Sequence, residues 1–156
     1  MSMIYLASDH RGFELKAKIK TWLPEWGYEF EDLGPNVYVA DDDYPDYVSR
    51  VGKQVSAHLD DKGVVLGFTG EGEAIVCNKY QGVRTAVYNG GSTEIVKLSR
   101  EHNDANVLSL GAGFIDDTQA KDVVKLWLDT KFSGDERHVR RLEKIRVIET
   151  STCKNP

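Results

Sequence analysis

The chain has 156 residues, of which 40 % are apolar and 29 % charged, the balance of one globular domain with a proper core. A net charge of -5 argues against a general nucleic-acid binder. There is no signal peptide and no apolar run long enough to span a membrane, so the expected location is the cytoplasm.

Residues 3–7 read as a buried strand that ends at Ser8, Asp9, His10, Arg11 and Gly12. Leu15, Ile19, Trp22 and Leu23 follow at helical spacing, and Gly27 closes that helix. A second strand covers 28–33, and Gly34, Pro35 and Asn36 make a turn. After an acidic stretch at 41–43, Tyr44, Pro45 and Asp46 lead into a helix carrying Val48, Val51 and Val55. Strand three is 63–66, with its helix expected from 73 to 79, and strand four is 83–88. Ser92, Thr93 and Glu94 start a helix anchored by Ile95 and Leu98, and strand five is 106–110. Asp116 to Thr118 cap a helix bearing Val123, Val124, Trp127 and Leu128, and a last helix runs from 136 to 148.

Strands and helices alternate throughout. That predicts an α/β fold: a doubly wound, Rossmann-like sheet of five parallel strands with helices on both faces. One domain is expected over 1–149, with a flexible tail at 150–156. In a 2-1-3-4-5 strand order the loops after strands one and three are neighbours at the carboxyl end, where such folds bind ligands.

Residues 67–79, GFTGEGEAIVCNK, carry the most chemistry. A strand, a glycine-rich turn and a helix start form a cradle of backbone N–H groups suited to an anion. Glu71 and Glu73 would repel a bound phosphate, and the lysine of a phosphate-binding P-loop is missing after Gly72. The cradle therefore suits an anion formed during a reaction. Thr69 and Glu73 offer a hydroxyl and a carboxylate for proton transfer, although a glutamate here also favours a helix N-terminus.

Asp9 and His10 form a second polar pair, which could equally be a helix cap. His102 and Asn103 form a third group, and His102 could serve as a general acid or base. Arg137 and Arg141, one helical turn apart, suit a phosphate but are also common on a solvated face. Cys77 reads as a buried thiol and Cys153 as part of the polar tail, with neither disulfide nor metal spacing.

His102 precedes strand five and so lies at the amino end of the sheet, roughly 15–20 Å from Asp9 and Thr69 at ~3.3 Å per residue. If these groups serve one site, a second chain must contribute. The expectation is a two-fold homodimer with shared active sites, with dimers free to pair into tetramers.

Taken together, five short stretches resemble the type B ribose-5-phosphate isomerase family, which includes the galactose-6-phosphate isomerase subunits. They are residues 8–12 (SDHRG), 43–46 (DYPD), 69–73 (TGEGE) with Asn78 and Lys79, 100–106 (REHNDAN) and 137–141 (RHVRR). The resemblance runs from about residue 3 to 146. It implies aldose–ketose isomerisation of a phosphosugar in the pentose phosphate pathway, without metal or other cofactor and with no nucleic-acid or membrane partner.

By that resemblance Glu73 is the base, since Gly67 stands where other members carry a catalytic cysteine, and Cys77 lies too far along the helix to replace it. His102 opens the furanose ring, Asp9 holds sugar oxygens and Thr69 assists proton movement between O1 and O2. Backbone N–H groups of 68–72 stabilise the enediolate. His10, Arg137 and Arg141 grip the phosphate, and Tyr44, Phe68, Gly70, Glu71, Gly72 and Asn103 line the sugar site. Gly113 departs from the pattern, because the family usually has a phosphate-binding arginine there. Phe68 is bulkier than the usual residue. Both leave open another sugar phosphate (a tetrose, allose or galactose 6-phosphate) or a phosphosugar-binding protein with little turnover.

Overall fold

The computed structural model of the chain describes residues 2–152. Cys153 and the rest of the expected tail beyond Thr152 lie outside them.

Alternate residues of β1 (Ile4–Ser8) serve two cores. Ile4 and Leu6 point to one face of the sheet, Tyr5 and Ala7 to the other, as the period of two demands. β2 (Phe30–Asp32), β3 (Lys62–Gly67), β4 (Thr85–Tyr88) and β5 (Val107–Gly111) complete an all-parallel sheet. Helices α1 (Phe13–Glu25), α4 (Glu94–Glu101) and α5 (Asp117–Asp129) cover the Ile4 face. Helices α2 (Pro45–Ala57) and α3 (Glu71–Cys77) cover the Tyr5 face. The doubly wound α/β class is the expected one.

The strand order is β2-β1-β3-β5-β4, not the expected 2-1-3-4-5. Burial explains the exchange. Every residue of β5 is buried, whereas only Tyr88 of β4 is. A strand apolar on both faces belongs inside a parallel sheet, and the weaker one takes the edge. The loops after β1 and β3 remain neighbours, and the loop after β5 joins them.

β2 and β4 are shorter than the expected 28–33 and 83–88, and local expectations shift in three helices. α3 begins at Glu71, two residues early, because Gly70 turns the chain at φ +81° directly before it. In α4 the buried face is Val96, Ser99 and Arg100, while Ile95 is 61 % exposed. The last helix, α6 (Glu136–Thr152), runs past 148, so residues 150–152 are helical rather than tail. It buries only His138 and leaves Val139, Ile145, Val147 and Ile148 exposed.

Candidate active site

The turn between β3 and α3 sits on the end of β5. Buried Ser109 donates to the Gly70 carbonyl at 2.6 Å. The N–H of Ala112 donates to Gly67 at 2.8 Å and that of Gly113 to Phe68 at 3.0 Å. Thr69 lies between these anchors; its hydroxyl accepts the Glu71 N–H at 3.2 Å and its carbonyl accepts from Asn89. Glu71 is exposed, within 3.3 Å of the same Asn89 amide.

Glu73 is only 3 % exposed. Its carboxylate lies against the bare Cα of Gly67, and a Cβ placed there would meet Oε1 at 1.8 Å. The missing side chain at 67 is thus the space the acid occupies. Burial raises its pKa above the ordinary carboxylate value, its own backbone N–H opposes this, and the charge of nearby Asp9 raises it further. Tyr44, at the start of α2, packs over Gly72, where a Cβ would lie 2.7 Å from its ring.

Asp9 is buried after β1, and its Oδ1 accepts the N–H groups of Arg11 at 2.8 Å and Gly12 at 3.1 Å. It therefore ties down the turn as well as facing Glu73. His10 is held from the acidic stretch: Asp42 Oδ1 accepts its backbone N–H at 2.9 Å and lies 2.8 Å from Nδ1. Asp9, His10 and Asp42 bring donor atoms within 4.8 Å of one another, and these hydrogen bonds already engage Asp9 and Asp42.

Cys77 is buried and donates to the Val48 carbonyl. Burial, then the charge of Glu73, push its thiol up to about 12, which removes it as a base at neutral pH.

A second group lies at the amino end of the sheet. His102 caps the C-terminus of α4 and stacks on His138 of α6, with ring centroids 4.2 Å apart. His138 is buried, and burial, then the charges of His102 and Arg137, lower its pKa. Asn103 is exposed, and its carbonyl accepts from Arg84. Arg137 and Arg141 are exposed on α6.

The chain thus gathers Asp9, His10, Tyr44, Phe68, Thr69, Gly70, Glu71, Gly72 and Glu73 at one end, and His102, Asn103, Arg137 and Arg141 at the other. Three neighbours escaped the sequence reading: Asp42 on His10, His138 on His102, and Arg11 over the Phe68 ring at 4.3 Å. Only His138 had a signal, its place between Arg137 and Arg141.

A model of the Ribose/Galactose Isomerase family matches residues 4–145. The chain belongs to that family. Among its members, ribose-5-phosphate isomerase B of Mycolicibacterium paratuberculosis is 39 % identical over 146 residues, covering 94 % of this chain and 91 % of that one. The structure of ribose-5-phosphate isomerase B from Mycoplasma genitalium with bound ribulose-5-phosphate superimposes with a TM-score of 0.91 at 38 % identity, covering 96 % of this chain and 97 % of the other. That of ribose-5-phosphate isomerase B from Clostridium thermocellum gives 0.89 at 39 % identity, covering 96 % and 98 %.

Proposed function

We propose that this chain interconverts ribose 5-phosphate and ribulose 5-phosphate through an enediolate, with Glu73 as the base and no metal. One observation carries the reading: a buried carboxylate of raised pKa, seated in the space a side chain at 67 would fill and facing the glycine-rich turn. Its raised pKa brings it closer to the range where a carboxylate takes and returns a carbon-bound proton efficiently.

Glu73 removes the proton at C2 and returns it at C1. Thr69 shuttles the proton between O1 and O2, and Asp9 holds the sugar hydroxyls. Backbone N–H groups of 68–72 receive the negative charge of the enediolate, the task a metal ion performs elsewhere; one well-placed donor is worth about 3 kcal/mol. His10 meets the phosphate. His102 opens the ring, and Arg137 and Arg141 close on the phosphate, all three from a second copy of the chain.

The exposed apolar residues of α6 support that second copy. So does a cavity of 470 Å³ lined by Ala86, Val87, Ile95, Leu142 and Ile145, beside the open edge of β4. The enzyme is then a homodimer with two shared sites, working in the cytoplasm in pentose phosphate metabolism.

The test is an isomerisation assay on a panel of sugar phosphates, with Glu73→Gln as control. The expected result is turnover of ribose 5-phosphate by the parent and a kcat lower by about 10²- to 10⁴-fold in the variant. No turnover by the parent refutes the substrate, and full activity in the variant refutes the base. Phe68 walling the cavity beside Gly113 favours a second reading, a shorter phosphosugar such as a tetrose. A higher kcat/KM on the tetrose phosphate would select it.

A further inference from the structure

Phe68 follows β3 and is 42 % exposed. Two neighbours fix its ring. A Cβ at Gly113 would meet ring atoms Cε2 and Cδ2 at 2.2 and 2.3 Å, so the aromatic edge fills the volume a side chain there would need. Over the ring face lies the Arg11 guanidinium, 4.3 Å from the centroid.

Among the described residues Arg11 pairs with no carboxylate. Stacking on an aromatic face holds a guanidinium in place while leaving its N–H edges open. A cavity of 360 Å³ opens beside it, lined by His10, Arg11, Glu14, Tyr38, Phe68 and Gly113. With Nδ1 of His10 held at Asp42, its other ring nitrogen is left for a ligand. A stacked guanidinium and an anchored imidazole on one cavity, with a single acid at Glu14, suit a phosphate group.

We propose that Arg11, carried on the Phe68 ring, is a phosphate-binding residue of this chain, and that Gly113 is bare because Phe68 must occupy its space. The positive charge thus enters the cavity from the loop after β1 instead of the loop after β5. The inference rests on the reading of the Asp9 and Glu73 loops as a sugar-phosphate site, and it names the group that grips the phosphate from this side.

Two measurements test it: calorimetric binding of inorganic phosphate, and KM for ribose 5-phosphate. Arg11→Gln is expected to weaken phosphate binding and raise KM by roughly 10- to 150-fold, the loss of one charge-assisted contact. Phe68→Leu removes the platform and should reproduce much of that loss, while Phe68→Tyr restores it. In an Arg11→Gln background, Phe68→Ala with Gly113→Arg should regain phosphate affinity by moving the charge to 113. Circular dichroism confirms that each variant is folded. Unchanged phosphate affinity in folded Arg11→Gln overturns the proposal, as does a parent that binds no phosphate. A parent whose phosphate affinity depends on Arg11 but which turns over no ribose 5-phosphate upholds this inference and refutes only ribose 5-phosphate as the substrate.

Discussion

On the proposed mechanism, the single carboxyl of Glu73 couples catalysis to stability. Its pKa is raised by burial and by Asp9, so between the unfolded and folded values the native state holds a proton that the unfolded chain has lost. Stability therefore falls as pH rises through that window. Glu73→Gln removes the penalty. It is expected to lower kcat by about 10²- to 10⁴-fold while raising Tm at pH 7, read by turnover and thermal unfolding; a lower Tm would contradict the assigned pKa direction. Asp9→Asn should move the acid limb of the pH–rate profile downward, since the carboxylate no longer faces a like charge. Gly67→Ala forces the acid out of its seat, and a displacement of that size is expected to cost about 100-fold in kcat. The chemical side chains of this turn were legible from the sequence as types at a spacing. Their partners were not: Asp42 reaches His10 across 32 residues, and no local pattern encodes that contact.

At the scale of elements, periodicity located the five strands and six helices of the described residues but erred where burial competes with pattern. Lys16 shows why. It follows Leu15 on the inner face of α1 and is only 2 % exposed, a position that hydropathy assigns to an apolar residue. Its ammonium meets Asp32 of β2 at 2.7 Å and the Pro35 carbonyl at 2.7 Å, and Lys20 meets the other oxygen of Asp32 at 2.7 Å. Burial alone would raise the Asp32 pKa, but the two lysines and the Gly34 N–H outweigh it and hold the carboxyl below its ordinary value. This stabilisation is present above the unfolded carboxyl pKa and is lost as pH falls through the folded one. Asp32→Ala, which leaves a buried ammonium without its counter-ion, is expected to cost about 3–5 kcal/mol in urea unfolding. The exchange of β4 and β5 was hidden for a related reason. Both read as short apolar runs, and only the count of neighbours on each face separates an inner strand from an edge.

The whole molecule poses a different question, because the two clusters of candidate site residues lie at opposite ends of one sheet. With shared sites in a dimer, each chain lends its Glu73 to one site and its His102 to the other. Glu73→Gln and His102→Ala chains are then inactive alone, yet a mixed dimer contains one site with both groups intact. Refolding the two together in equal amounts should restore about a quarter of parental activity, since half the dimers are mixed and each has one working site of two. No recovery on mixing would place both groups in a site made by one chain. Sedimentation of the parent should show a dimer. Sequence order exposed the separation of the clusters in advance, since a residue before a parallel strand and a residue after one cannot meet. It could not reveal the face of α6 that remains without cover.

The fit of Glu73 against Gly67 also restricts how this chain could change its chemistry. A side chain at 67 and the carboxylate of 73 claim one volume, so adding the first expels the second. A new side chain at 67 is therefore accommodated only together with a smaller residue at 73, so the two positions constrain one another as a pair.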